Sequence, residues 1–190
     1  MKTELPRRVS TLMIGSAVLA LLAATAGVVA WLHLDGAGDA YTRALIAAGQ
    51  EADDVPRQVG LALGFDVAAA TVLAVVVGYL ARMLRSPLPW ARLATWVVGV
   101  AAWAVLGCGL AAPPELPTWR GATMPAAVEQ ARDDILPGWY PVVHSILVFA
   151  VLATLTVVAV LLLREPAREF YRKTSGATAT DWSAFGPDHG

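Results

Sequence analysis

Four stretches of this chain are too long and too apolar to be left in water. Residues 9–34, 59–81, 93–112 and 141–163 make up about half of the 190 positions, and of the 15 acidic and 14 basic residues only Asp66 falls inside them. Bilayer hydrocarbon is about 30 Å thick, which a helix crosses in about 20 residues. Lipid offers the backbone no hydrogen bonds, and a helix satisfies its N–H and C=O groups within one segment. Membrane strands are excluded, because they alternate over runs of about ten residues. Apolar residues are 57% of the chain and charged residues 15%, with a mean hydropathy of +0.58; a soluble domain is about 25% charged. This content excludes disorder for most of the chain. Cys108 is the only cysteine, which excludes a disulfide scaffold and, within one chain, dithiol redox chemistry. A pI of 6.3 argues against nucleic acid as a partner. The expected fold is all-α, an integral membrane four-helix bundle whose first partner is the lipid bilayer.

Basic residues set the expected orientation, since Lys and Arg accumulate on the cytoplasmic side. Lys2, Arg7 and Arg8 precede the first span, Arg82, Arg85 and Arg92 lie between the second and third, and Arg164, Arg168, Arg172 and Lys173 follow the fourth. The two long loops hold only Arg43, Arg57, Arg120 and Arg132, among the acids Asp35, Asp39, Glu51, Asp53, Asp54, Glu115, Glu129, Asp133 and Asp134. The N-terminus (1–8), the turn 82–92 and the tail 164–190 are therefore expected in the cytoplasm of a bacterium, with loops 35–58 and 113–140 outside the plasma membrane. Trp31, Trp119 and Trp139 then fall at the outer interface and Trp90 at the inner one. The first span reads as an uncleaved signal-anchor, because its apolar run far exceeds the roughly 7–15 residues of a signal peptide.

The loops carry helical patterning of their own. Residues 41–49 combine alanines with Leu45 and Ile46 and stop at Gly49. Thr123 is placed to cap a second helix with Pro125 in its first turn, and Val128, Ala131 and Ile135 share one face. Both are expected to be short amphipathic helices over the bundle mouth. Asp53-Asp54-Val55-Pro56 and Asp133-Asp134-Ile135-Leu136-Pro137 hint at a faint two-fold repeat. The tail begins with basic and aromatic residues suited to fixing topology at the headgroups. It ends in a small, polar, Gly- and Pro-punctuated stretch expected to be disordered.

Polar residues inside the spans are the candidate site. An ionisable group near the centre of a span costs about 2.5–3.5 kcal/mol on insertion scales, so Asp66 is either functional or locked by a partner. His144 and His33 fall at similar depth and are its candidate partners in a proton or cation site. Cys108 is a small buried apolar residue by default. The second span also carries Gly60, Gly64 and Ala68, a small-residue stripe that permits close helix contact and lies nearly opposite Asp66. One of these faces is expected to pack within the bundle, the other against a neighbouring helix or a second subunit.

Nothing in the sequence announces catalysis. It lacks a Gly-rich phosphate loop, a Cys-x-x-Cys pair, a His-Glu-x-x-His motif, a Gly-x-Ser-x-Gly elbow and an Arg ladder. No cofactor, bound metal or catalytic residue is expected. Arg92-Leu93-Ala94-Thr95-Trp96-Val97-Val98-Gly99 with Leu106-Gly107-Cys108-Gly109, then Pro137-Gly138-Trp139-Tyr140-Pro141, then the stretch from Leu161-Leu162-Leu163-Arg164 to Glu169-Phe170-Tyr171 resemble small four-span membrane proteins of actinobacteria over roughly residues 80–175. The resemblance implies a plasma-membrane location and four helices, and no activity; this chain departs from the pattern at Arg164, Glu165 and Arg168. The expected role is that of a multi-pass, non-enzymatic membrane protein acting through helix–helix or loop-mediated contacts, with a homo-oligomer or another membrane protein as partner. The alternative is a small transporter or channel subunit using Asp66 with His144 or His33.

Overall fold

Each long apolar stretch becomes a helix, and proline marks where three of the helices begin. A computed structural model describes residues 4–51, 54–85, 89–111 and 123–163. It contains α1 (Glu4–Ala47), α2 (Val55–Met83), α3 (Pro89–Ala111), α4 (Ala126–Asp133) and α5 (Tyr140–Leu163). Pro56, Pro89 and Pro141 stand in the first turns of α2, α3 and α5, where a missing N–H costs nothing. Helices α1, α2, α3 and α5 are long and apolar enough to cross a bilayer. Among the described residues the fold is thus all-α, a four-helix bundle suited to a membrane. Ile14, Leu32, Phe65, Val75, Leu93, Val100, Ile146 and Phe149 are among the many large apolar side chains left exposed around it. That surface is untenable in water and suits lipid.

The four spanning helices form a ring in which α1 packs on α2 and α5, and α3 packs on α2 and α5. The diagonal pairs, α1 with α3 and α2 with α5, do not pack backbone to backbone among the described residues. The seam of α1 reads Val9, Met13, Ser16, Ala20, Ala23, Gly27, Ala30 and Leu34, all buried. Its alternating steps of four and three are the a/d pattern of left-handed helix packing. Most of these residues are small, so the helices approach closely.

Helix α1 does not stop at residue 34. It continues without a break through Asp35, Gly36 and Asp39 to Ala47, giving 44 residues, or about 66 Å. The separate helix expected over 41–49 is helical, but it is the last turns of α1. The reason is visible on the buried side, where Leu34, Gly38, Tyr41 and Leu45 carry the inward face onward while Asp35, Asp39 and Arg43 stay exposed. The stop is where the sequence puts it. Gly49 has φ +75°, its N–H donates to the Ile46 carbonyl, and the Gln50 N–H donates to the Leu45 carbonyl. These paired bonds are a Schellman ending, whose left-handed residue is best supplied by glycine.

Helix α4 begins at Ala126, with Pro125 as its N-cap and no side-chain cap, so Thr123 does not cap it. The expected shared face is present: Val128 and Ile135 are buried and Ala131 packs beside them. The basic tail, the terminal segment 174–190, Asp53 of the faint repeat, Trp119 and the Cys108 side chain lie outside the described residues.

Burial divides into two cores. The first joins Val9, Met13, Ala17 and Ala20 of α1 to Leu73, Ala74, Val77, Leu80 and Ala81 of α2 and Leu84 just after it, Ala91, Ala102 and Leu106 of α3, and Val148 to Leu162 of α5. The second joins Ala30, Leu34, Tyr41 and Leu45 of α1 to Val55, Val59 and Leu63 of α2, Val128, Ile135 and Tyr140. The first core lies toward the arginine end of the bundle and the second toward the loop end. Among the described residues, none from α3 belongs to the second core.

Candidate functional site

The α1–α2 hairpin fixes the level of everything in the site. Gly27 of α1 faces Val67 of α2, Gly64 faces the Trp31 ring, Gly60 faces Leu34 and Gly38 faces Pro56. As one number rises the other falls in step, which is an antiparallel register held over more than seven residues of each helix. A Cβ at Gly27 would stand 2.6 Å from Val67 Cγ2, and one at Gly38 would stand 2.9 Å from the Pro56 ring. These two glycines are therefore contact points that no other residue can fill without movement. At the far end, the buried Ser10 hydroxyl donates to the Ala81 carbonyl at 2.9 Å and accepts from Arg85 Nε at 3.0 Å.

Of the small-residue stripe, Gly60 and Gly64 lie against α1 of the same chain. Ala68 is exposed and takes no part in that contact. The stripe thus serves the hairpin, with the bulky Trp31 and Leu34 laid over its missing side chains.

Asp66 belongs to the inward seam of α2. Val59, Leu63, Asp66, Ala70, Leu73 and Val77 follow the same four-and-three steps, and only Asp66 among them is not fully buried. His144 and Tyr140 stand one turn apart on α5, so their side chains share a face. Asp66 Oδ2 lies 3.9 Å from His144 Nε2, with Asp66 33% and His144 20% exposed. That gap is in ion-pair range and just beyond direct hydrogen-bond distance. On the other side of the ring, Tyr140 Oη lies 3.4 Å from His144 Nδ1. The two rings stack at 5.2 Å between centroids, tilted by 31°, and Trp139 meets the edge of Tyr140 at 6.0 Å. One tautomer satisfies both contacts: Nε2 carries the proton toward the carboxylate, and Nδ1 accepts from the tyrosine hydroxyl.

This row of polar groups reaches across the diagonal of the ring, from α2 to α5. It also lies in the gap between the two cores, since the α2 members skip from Leu63 to Leu73 and the α5 members from Tyr140 to Val148. Trp103 Nε1 donates to Thr156 Oγ1 at 3.1 Å and sets the α3–α5 register. Carried along the helices, that register puts the His144 level past Ala111, the last described residue of α3. No described residue of α3 reaches the level of the pair.

His33 is not part of the row. On the hairpin register it lies about five residues, or about 8 Å, nearer the loop end than Asp66. Its Nε2 donates to the Asp134 carbonyl at 3.0 Å, which fastens the turn after α4 to α1. Of the three predicted polar residues, the structure brings together Asp66 and His144 and leaves His33 to a separate tie. Tyr140 is the member that sequence reasoning missed; its i, i+4 spacing to His144 was the available signal. No group of three or more His, Cys, Asp or Glu side chains able to hold a metal occurs among the described residues.

The chain matches no protein-family model, no curated protein and no solved structure.

Proposed function

We propose that the protein is a non-enzymatic, multi-pass membrane protein, in the plasma membrane as the actinobacterial resemblance implies, that holds a rigid helical head outside the membrane for contact with a membrane-protein partner or a second copy. Both termini are cytoplasmic in this reading. The observation that carries it is the second core. At about 66 Å, α1 exceeds the 40–45 Å of a whole bilayer, headgroups included. Its last turns do not dangle: Tyr41 and Leu45 pack with Val55 of α2 and with Val128 and Ile135 beside them. A chain that needed only to span lipid has no use for a packed helical head.

The test places a photocrosslinking residue at exposed Ile46, in the head, or at exposed Val72, in the span. In native membranes Ile46 is expected to give an adduct of one discrete polypeptide mass and Val72 mainly lipid. Lipid-only adducts at Ile46 would overturn the reading.

A second reading is favoured by one feature, the Asp66–His144–Tyr140 row. A carboxylate facing a histidine across a bundle can pass a proton or hold a cation, and four helices enclose little space, so a path would need an oligomer. Proton and cation flux through the purified protein in liposomes distinguishes the two. The head reading expects no flux above protein-free vesicles; flux that Asp66→Asn abolishes, with the helical content unchanged, establishes the transport reading instead.

A further inference from the structure

A hollow of about 430 Å³ lies between α1 and α2 at the loop end, with Trp31, Asp35 and Asp39 among its lining on one side and Arg57 and Leu61 on the other. It is of the size that binds small ligands. Its floor exists because Gly38 and Gly60 carry no side chain at the point where the two helices touch. Its lining changes character along its length. At the bilayer side stand the Trp31 indole, 46% exposed, and Leu61, 69% exposed. Further along α1, one and two turns beyond Trp31 at about 6 and 12 Å, stand the carboxylates of Asp35 and Asp39, with the Arg57 guanidinium facing their level from α2 and the Thr42 hydroxyl a turn beyond. Asp35 and Asp39 are one turn apart on one helix, and Arg57 is on the other. None of these three charged side chains makes an ion pair or a side-chain hydrogen bond among the described residues. Opposite charges left apart across a hollow suit a ligand that carries both signs itself.

We propose that this hollow binds the headgroup of an amine-bearing phospholipid. Arg57 takes the phosphate, for which its planar fork is matched. Asp35 and Asp39 take the primary ammonium. Trp31 and Leu61 line the start of the acyl chain, in the interfacial position that tryptophan favours. The carboxylate pair selects against a headgroup ending in hydroxyls, which brings no positive charge. The site is independent of the protein contact proposed for the head and of the Asp66 row.

The test is lipid retention by the full-length protein in native mass spectrometry, with dioleoyl phosphatidylethanolamine, phosphatidylglycerol and phosphatidylcholine offered in equal amounts. Phosphatidylethanolamine is expected to be retained about fivefold over phosphatidylglycerol, a size set by contacts that remain partly solvated. The double variant Asp35→Asn, Asp39→Asn is expected to lose that preference while still binding phosphate lipids. Arg57→Gln is expected to lower retention of all three. These side chains are exposed, so the variants should elute and melt like the parent. Equal retention of the three lipids by the parent, or a preference unchanged in the double variant, overturns the proposal. Displacement of the bound lipid by equimolar soluble phosphoethanolamine would assign the site to a free phosphoamine and overturn the lipid assignment.

Discussion

Two buried serines on one helix show how much a single hydroxyl depends on its surroundings. Ser10 and Ser16 both lie in α1 with almost no exposed surface. Ser10 bonds the Ala81 carbonyl and receives Arg85, whereas the Ser16 hydroxyl has no partner. Ser10→Ala is therefore expected to destabilise the protein by about 1–2 kcal/mol, since it breaks a bond between helices and strands the Arg85 donor. Ser16→Ala is expected to be neutral or mildly stabilising, because it removes a group buried at a cost. Chemical unfolding in detergent compares the two, and an equal loss for both would show that the geometry of Ser10 contributes nothing. The same scale shows what the sequence revealed of the site. Asp66 was legible because a charge stands out in an apolar run, and His144 because few other titratable groups share its depth. Neither the exclusion of His33 nor the inclusion of Tyr140 was legible. Both depend on helix register, and on a backbone carbonyl at Asp134 that sequence does not display as a hydrogen-bond partner.

Glycines in α1 look alike in sequence and differ by position on the helix. Gly27 sits where a Cβ would collide with Val67, and Gly15 has no atom within 4 Å of that position. Gly27→Ala is expected to cost about 1–3 kcal/mol through overpacking against a stiff β-branched neighbour. Adding Val67→Ala should restore much of that loss. Gly15→Ala is expected to gain up to about 1 kcal/mol, the usual benefit of alanine in a helix. Thermal melts of the four proteins decide it; a Gly27→Ala protein as stable as the parent would mean that the hairpin contact is loose. The same physics explains where the element boundaries were and were not legible. Hydropathy locates the spanning helices well because lipid permits no alternative. It ends the first one at residue 34, because two aspartates and two glycines in a row of five resemble a loop. Asp35 and Asp39 take the exposed side of a continuing helix, and Gly38 is needed for the approach of Pro56. A helix pays little for such residues when its inward seam still has something to pack on.

At the scale of the whole molecule the open quantity is which end faces out, and a single reagent reads it. Cys108 is the only cysteine, so a Cys108→Ala background accepts one new thiol at a time. In intact cells a membrane-impermeant maleimide is expected to label Ala47→Cys and to reach Gly176→Cys only after lysis. The reverse pattern would invert the orientation that the arginines imply and put the packed head in the cytoplasm. The unbroken length of α1 has a mechanical consequence in either orientation. No hinge separates the part in lipid from the part beyond it, so the helix acts as a lever pivoting within the bilayer. Spanning helices tilt as membrane thickness changes, and with a fulcrum near the middle of this rod each 10° of tilt would swing its far tip sideways by roughly 6 Å. Thinning or thickening of the surrounding lipid is thereby converted into lateral displacement at the tip.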